Sequence, residues 1–245
     1  MSAPSLRAAS GPDPAAYAVR ESTRARRVIL RIDPGRGLCV VVPRGFDAAR
    51  VPDIVEQRRA WIERTLDRLA GEGFSPSAGP PVPPASLELR AVGQVVAVDF
   101  LPARGRVRLV ENAGRLLLAA DPAEPARWAR ALRGFVLTRA RGVLPAWLAQ
   151  ASRETGLAFA SVRVRHMRTR WGSCSRRGVV NLNARLLFLP RELVFQVLVH
   201  ELCHIRRPDH SRRFWDLVAA KRPGYEPLER ELRLAARYVP AWLEA

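Results

Sequence analysis

Residues 200–210 read HELCHIRRPDH, which puts His200, Glu201, His204 and His210, three of the chain's four histidines among them, within eleven positions. On an α-helix, positions i and i+4 share a face, so His200 and His204 present two imidazoles to one cation while Glu201 projects about 100° around the axis. The apolar run before them and Pro190 at its start predict a helix from Pro190 to about Ile205, closed before Pro208. This is the arrangement of a zinc-protease helix. Zinc held by three protein ligands keeps its fourth position for a water, lowers that water's pKa to about 7 and polarises a substrate carbonyl. Glu201 is then the base that takes the water's proton and passes it to the leaving amine. With 4 histidines and 14 glutamates in 245 residues, random placement yields this pattern roughly 0.004 times per chain, so chance explains it poorly.

The third ligand is a choice between two patterns. His210 follows His204 by six residues, the metzincin offset, but Arg207 stands where that pattern has a glycine. The two methionines, Met1 and Met167, both lie upstream, so there is no downstream Met-turn. The Arg207-Pro208 break is another way to end the helix and return His210 to the metal. The alternative is a carboxylate from the following helix, Glu226, Glu229 or Glu231, and His210 is favoured. The expected cofactor is one zinc ion per chain.

Working outward, Ser161–Arg170 and Val179–Asn183 read as short antiparallel strands beside the metal helix, and residues 211–221 and 227–238 as further helices. Upstream, apolar positions from Trp128 to Leu148 predict a helix or helix pair over about 125–156. Three runs near 87–101, 106–111 and 115–120 have the spacing of a small antiparallel meander. Residues 71–86 hold five prolines and read as a linker. Before it, a β-hairpin around Asp33–Gly37 and an amphipathic helix over about 50–70 are expected, and residues 1–16 form a flexible tail. The class is α+β. Its predicted organisation is a hairpin plus helix over 17–70, the linker, then a meander and zincin-like core over 87–245 with the catalytic part at about 125–245.

Arg170-Trp-Gly-Ser-Cys-Ser, Gly178, Leu182-Asn183, His200-Glu-Leu-Cys-His204 and His210-Ser-Arg-Arg-Phe-Trp together resemble the YgjP-like metallopeptidases, relatives of the SprT and Spartan proteases. The match is close from about 160 to 225, and the hairpin and the Trp61 helix extend it over most of the chain. The resemblance implies a zincin-like fold and peptidase activity. It also implies a zinc site of His200, His204 and His210 with Glu201 as base.

Around that helix, Arg170, Trp171 and Gly172 are candidate substrate-binding residues on an edge strand, Gly172 permitting close backbone approach. Tyr225 joins them by position, and Tyr225 and Arg170 are the candidates for stabilising charge in the transition state. The chain carries 41 basic against 23 acidic residues, a net charge of +18, and every basic residue except Lys221 is arginine. Seven arginines and no acid fall between 161 and 189, a basic region that would suit an acidic or nucleic-acid-bound substrate. Two other readings stay open: hydrolysis of a small anion such as a nucleotide phosphoanhydride, with arginines clamping phosphate, and a nucleic-acid-binding module whose zinc is structural. Cys39, Cys174 and Cys203 are too widely spaced for a disulfide framework, and Cys203 reads as a small core residue. No signal-type or membrane-length apolar run occurs, so a cytoplasmic protein without membrane contact is expected.

Overall fold

The computed structural model describes residues 17–33, 37–71 and 81–244. The residues divide into two compact units, Met1–Val82 with Pro240–Ala245, and Pro83–Val239. The predicted tail, the hairpin turn after Asp33 and most of the proline-rich linker lie outside the described residues.

In the first unit, β1 (Tyr17–Ser22), β2 (Ile29–Asp33) and β3 (Gly37–Pro43) form one sheet in the order β1-β3-β2. The expected hairpin is β2 against β3, with Leu30 opposite Val40, and β1 adds a parallel strand with Val19 opposite Val40. Alternate residues Leu38, Val40 and Val42 turn inward and pack on Val51, Val55 and Ile62, as a sheet with one buried face requires. Those partners come from α1 (Val51–Glu56) and α2 (Arg59–Gly71), where a single helix was predicted. The interruption comes where Arg58 N–H bonds the Val55 carbonyl at 3.0 Å, an i−3 step that tightens the turn.

The second unit opens with β4 (Ser86–Leu89), β5 (Gln94–Pro102), β6 (Arg108–Asn112) and β7 (Arg115–Ala120). Their order is β4-β5-β7-β6 and β5 runs parallel to β7, so the predicted antiparallel meander is corrected to a mixed sheet. The physical reason is a break inside the first run. A turn at Arg90–Val92, closed by left-handed Gly93 (φ 64°), makes β4 and β5 a hairpin of their own. β6 and β7 make a second hairpin at Ala113 and Gly114, both with positive φ, the combination whose twist suits a two-residue loop. The two hairpins then join edge to edge.

One helix, α3 (Pro125–Thr155), follows. Trp128, Leu132, Val136, Ala140, Leu144, Leu148 and Ala151 form a stripe with no exposed surface, the i, i+4 repeat of a helix face laid on a core. Pro145 removes one backbone donor without ending the helix, and Gly156 closes it in the left-handed conformation.

Next come β8 (Ser161–Arg165), β9 (Gly172–Cys174) and β10 (Val179–Asn183), ordered β8-β10-β9. The expected antiparallel pairing of the 161–170 and 179–183 strands is corrected: β8 is parallel to β10, because the chain between them places β9 antiparallel along the other edge of β10. Buried Asn183 explains why the strand expected to reach residue 170 stops at Arg165. Its Nδ2 donates to the carbonyls of Met167 (2.8 Å) and Arg170 (2.7 Å), folding 166–171 back as a loop. The last helices are α4 (Arg191–Cys203), α5 (Arg212–Lys221) and α6 (Tyr225–Leu234), the last continued by a 3₁₀ turn to Tyr238. α4 is apolar nearly all round, with Leu193, Val194, Val197, Leu198, Val199, Leu202 and Cys203 buried, and so runs through the interior. The architecture is mixed α+β.

Candidate metal centre

His200 stands in the last turn of α4 and His204 caps it with helical dihedrals. The chain then tightens, Arg206 and Arg207 both bonding back to the Cys203 carbonyl, and passes Pro208. Asp209 steers the exit, its Oδ1 accepting from the backbone and hydroxyl of Ser211 at 3.2 and 2.7 Å. This brings His210 back to the helix end. One candidate ligand atom from each of His200, His204 and His210 lies within 4.8 Å of the others, the sole such group of three among the described residues.

The rings are held in defined orientations. His204 Nδ1–H donates to the Arg207 carbonyl at 3.0 Å, and His200 Nδ1–H donates to Glu229 Oε1 at 3.1 Å. In both, the proton on Nδ1 leaves the Nε2 lone pair for a cation. His200 Nε2 faces His210 Nε2 at 3.1 Å. Phe214 packs against all three imidazoles: its ring is stacked on His204 with centroids 4.5 Å apart and meets His200 and His210 edge-on at 4.9 and 5.0 Å. Burial lowers the His204 pKa, and the neighbouring imidazoles lower it further against its bond to Arg207. Neutral imidazole is the form that ligates.

Glu201 points away from solvent, 6 % exposed, and its Oε2 is buried without a hydrogen-bond partner. Gly172 on β9 makes room for it: a Cβ there would stand 2.6 Å from Glu201 Oε1 and 2.7 Å from its Cγ. Burial pushes the Glu201 carboxyl up to about 7, with His200 and Arg170 pulling it down and Glu229 adding to the rise. Three converging imidazole nitrogens beside an unpartnered buried carboxylate are a donor set that fits a transition metal such as zinc.

A cleft of about 290 Å³ opens beside these groups. Arg170, Trp171, Gly172, Val197, Leu232 and Arg233 line it together with His200, Glu201 and Glu229. Three of the four predicted substrate contacts are therefore in its wall. Tyr225, the fourth, is outside that lining, its ring stacked on Trp215 at 5.6 Å. Of the seven arginines between 161 and 189, Arg170 alone lines this cleft, while Arg163 and Arg165 line a separate one with Arg141.

The glutamates weighed as alternative ligands are placed elsewhere. Glu229 binds the Nδ1 side of His200, Glu231 accepts from Arg237 and Tyr238, and Glu226 is exposed on α6. Gln196, Phe214 and Asn183 carry the geometry and were absent from the sequence-based candidates. A lone glutamine in the apolar run of α4 is the signal by which one of them could have been found. Cys174 is held a thiol, pushed up to about 11 by burial and by Glu201, and Cys203 is buried in the core. No helix among the described residues is long and apolar enough to cross a membrane.

A family model described as "YgjP-like, metallopeptidase domain" matches residues 26–235. No curated protein matches the chain. Among solved structures, the metallopeptidase zymogen of Pyrococcus abyssi abylysin is 29% identical, over 38% of this chain and 91% of its own, with a TM-score of 0.33. The metallopeptidase zymogen of Methanocaldococcus jannaschii jannalysin is 17% identical, over 39% and 96%, with a TM-score of 0.33.

Proposed function

The chain belongs to the YgjP-like metallopeptidase family, and on that premise we propose that it is a zinc-dependent peptidase in which His200, His204 and His210 hold one zinc ion and Glu201 is the general base. The observation that carries this reading is the convergence of the three imidazoles next to a buried carboxylate with no partner of its own. Bound there, zinc supplies a Lewis acid for the substrate carbonyl and acidifies water.

The chain's own residues supply the rest. A carboxylate oxygen of Glu201 accepts a proton from the attacking water as the water oxygen bonds to the carbonyl carbon. The same oxygen returns that proton to the amide nitrogen as the C–N bond breaks, so no proton is left over. Gly172, lacking a Cβ, leaves the space that this carboxylate occupies. β9 is the outer strand of its sheet, and its free edge beside the cleft suits an extended peptide joined by main-chain hydrogen bonds. Trp171, Val197 and Leu232 offer an apolar wall to a substrate side chain, with the guanidinium groups of Arg170 and Arg233 beside it.

The test is incubation of zinc-loaded protein with a mixed peptide library, read by mass spectrometry with and without chelator. Chelator-sensitive cleavage is expected. No cleavage of any peptide, with release of phosphate or pyrophosphate from nucleoside triphosphates instead, would transfer the same residues to phosphoanhydride hydrolysis.

A further inference from the structure

Glu229 and Gln196 form a small buried network that neither the peptidase reaction nor the triad of imidazoles accounts for. Gln196 lies one helical turn before His200 on α4, so the two side chains share a face. It has no exposed surface, although an amide inside an apolar helix carries a cost unless it is hydrogen-bonded. Its Nε2 donates to Glu229 Oε1 at 2.8 Å, and the same oxygen receives His200 Nδ1–H at 3.1 Å. One carboxylate oxygen of α6 thus accepts from two positions on α4. Glu229 is itself largely shielded, its side chain 19% exposed against 18% for His200.

We infer that Glu229 is the positioning residue of the metal centre, and that Gln196 aims Glu229. The inference rests on the zinc site proposed above. A carboxylate on Nδ1–H fixes which ring nitrogen carries the proton, stops the ring from turning, and makes Nε2 the more basic donor toward a cation. Without it, His200 would have to choose its own tautomer and rotamer each time an ion arrived. Gln196 is suited to its part because an amide donor holds the carboxylate oxygen without competing as a ligand. Glu229 also belongs to the helix that contributes Leu232 and Arg233 to the cleft wall, so the same contact ties that wall to the metal helix.

The experiment is a chelator-competition titration of zinc on full-length wild type, Glu229→Ala, Glu229→Gln and Gln196→Leu, with the melting temperature of each metal-free protein measured alongside. Glu229→Ala is expected to weaken zinc affinity about 10–100-fold. Glu229→Gln, which keeps an oxygen acceptor but no charge, should lose less, and Gln196→Leu should fall between wild type and Glu229→Ala. A folded Glu229→Ala protein that binds zinc within about twofold of wild type would overturn the inference, because a merely structural role changes only the melting temperature. Should Glu229→Ala not fold, isosteric Glu229→Gln decides: weakened affinity supports the role and unchanged affinity ends it. Wild type that takes up no zinc overturns the proposed zinc site, and this inference with it, a different result from wild-type affinity retained in the variants.

Discussion

Gly172 and Glu201 are in contact so close that a single methyl group on the glycine would meet three atoms of the glutamate side chain, the nearest at 2.6 Å. The glutamate is buried and has little room to retreat. Gly172→Ala should therefore displace the carboxylate while leaving the three imidazoles where they are. A shift of about 1 Å in a reacting group costs about 100-fold in rate. Peptide cleavage should fall by that order with zinc content unchanged. Full activity in Gly172→Ala would show that Glu201 does not work from this seat.

Glu201→Gln keeps the shape and removes the base. Removing a positioned general base costs about 10²–10⁴-fold in rate. Peptidase activity should drop within that range, and elemental analysis should still find about one zinc per chain, because the proposed ligands are untouched.

His210→Ala should do the reverse, lowering metal content first. A protein stabilised by a bound ion loses that stabilisation with the site, about 2.7 kcal/mol at a hundredfold excess of ligand over its dissociation constant. Added zinc should raise the melting temperature of wild type and leave that of His210→Ala nearly unmoved.

Phe214 is fully buried against His204. Phe214→Ala removes core packing worth about 3–5 kcal/mol and frees all three imidazoles to reorient. Denaturant unfolding of the metal-free protein should show that loss, and zinc affinity should weaken as well. A stability loss without a change in affinity would restrict Phe214 to packing.

His166, outside the metal centre, sets a pH dependence. Burial lowers its pKa from the ordinary 6.5, Arg185, Arg133 and Arg141 add to the fall, and the bond from Nε2–H to the Arg133 carbonyl opposes it. The folded state therefore binds this proton less readily than the unfolded chain. His166 costs nothing above about pH 6.5 and destabilises progressively as the pH falls below it. The drop in melting temperature between pH 7 and pH 5 should be smaller in His166→Gln than in wild type.

What could be read from the sequence was whatever depended on short spacing. His200 and His204 share a helix face because they are four apart, and the Arg207-Pro208 break returns His210 within one turn. The hairpin of β2 and β3 and the stripe of α3 follow from periods of two and of about four. Parallel pairing was not legible, because nothing within β5 or β8 encodes that its neighbour arrives from further along the chain in the same direction. Gln196 and Asn183 were missed, and Glu229 was weighed as a metal ligand and not as the partner of His200 Nδ1, for a related reason. Each satisfies a polar group far away in sequence, and a hydrogen bond of that kind leaves no periodic trace. Tyr225 was placed by proximity in sequence alone, which could not foresee that its ring stacks on Trp215.

His204 and His210 are separated by five residues, and the entropy lost in closing so short a loop is small. The corner between α4 and α5 needs no distant strand to bring its imidazoles together. The groups that would make a bound ion useful have far to come: Gly172 lies 29 residues before Glu201, and Glu229 lies 29 after His200. The cluster of imidazoles is thus a local property of one corner, whereas the seat of Glu201 and the partner of His200 exist only where β9 and α6 have docked on α4.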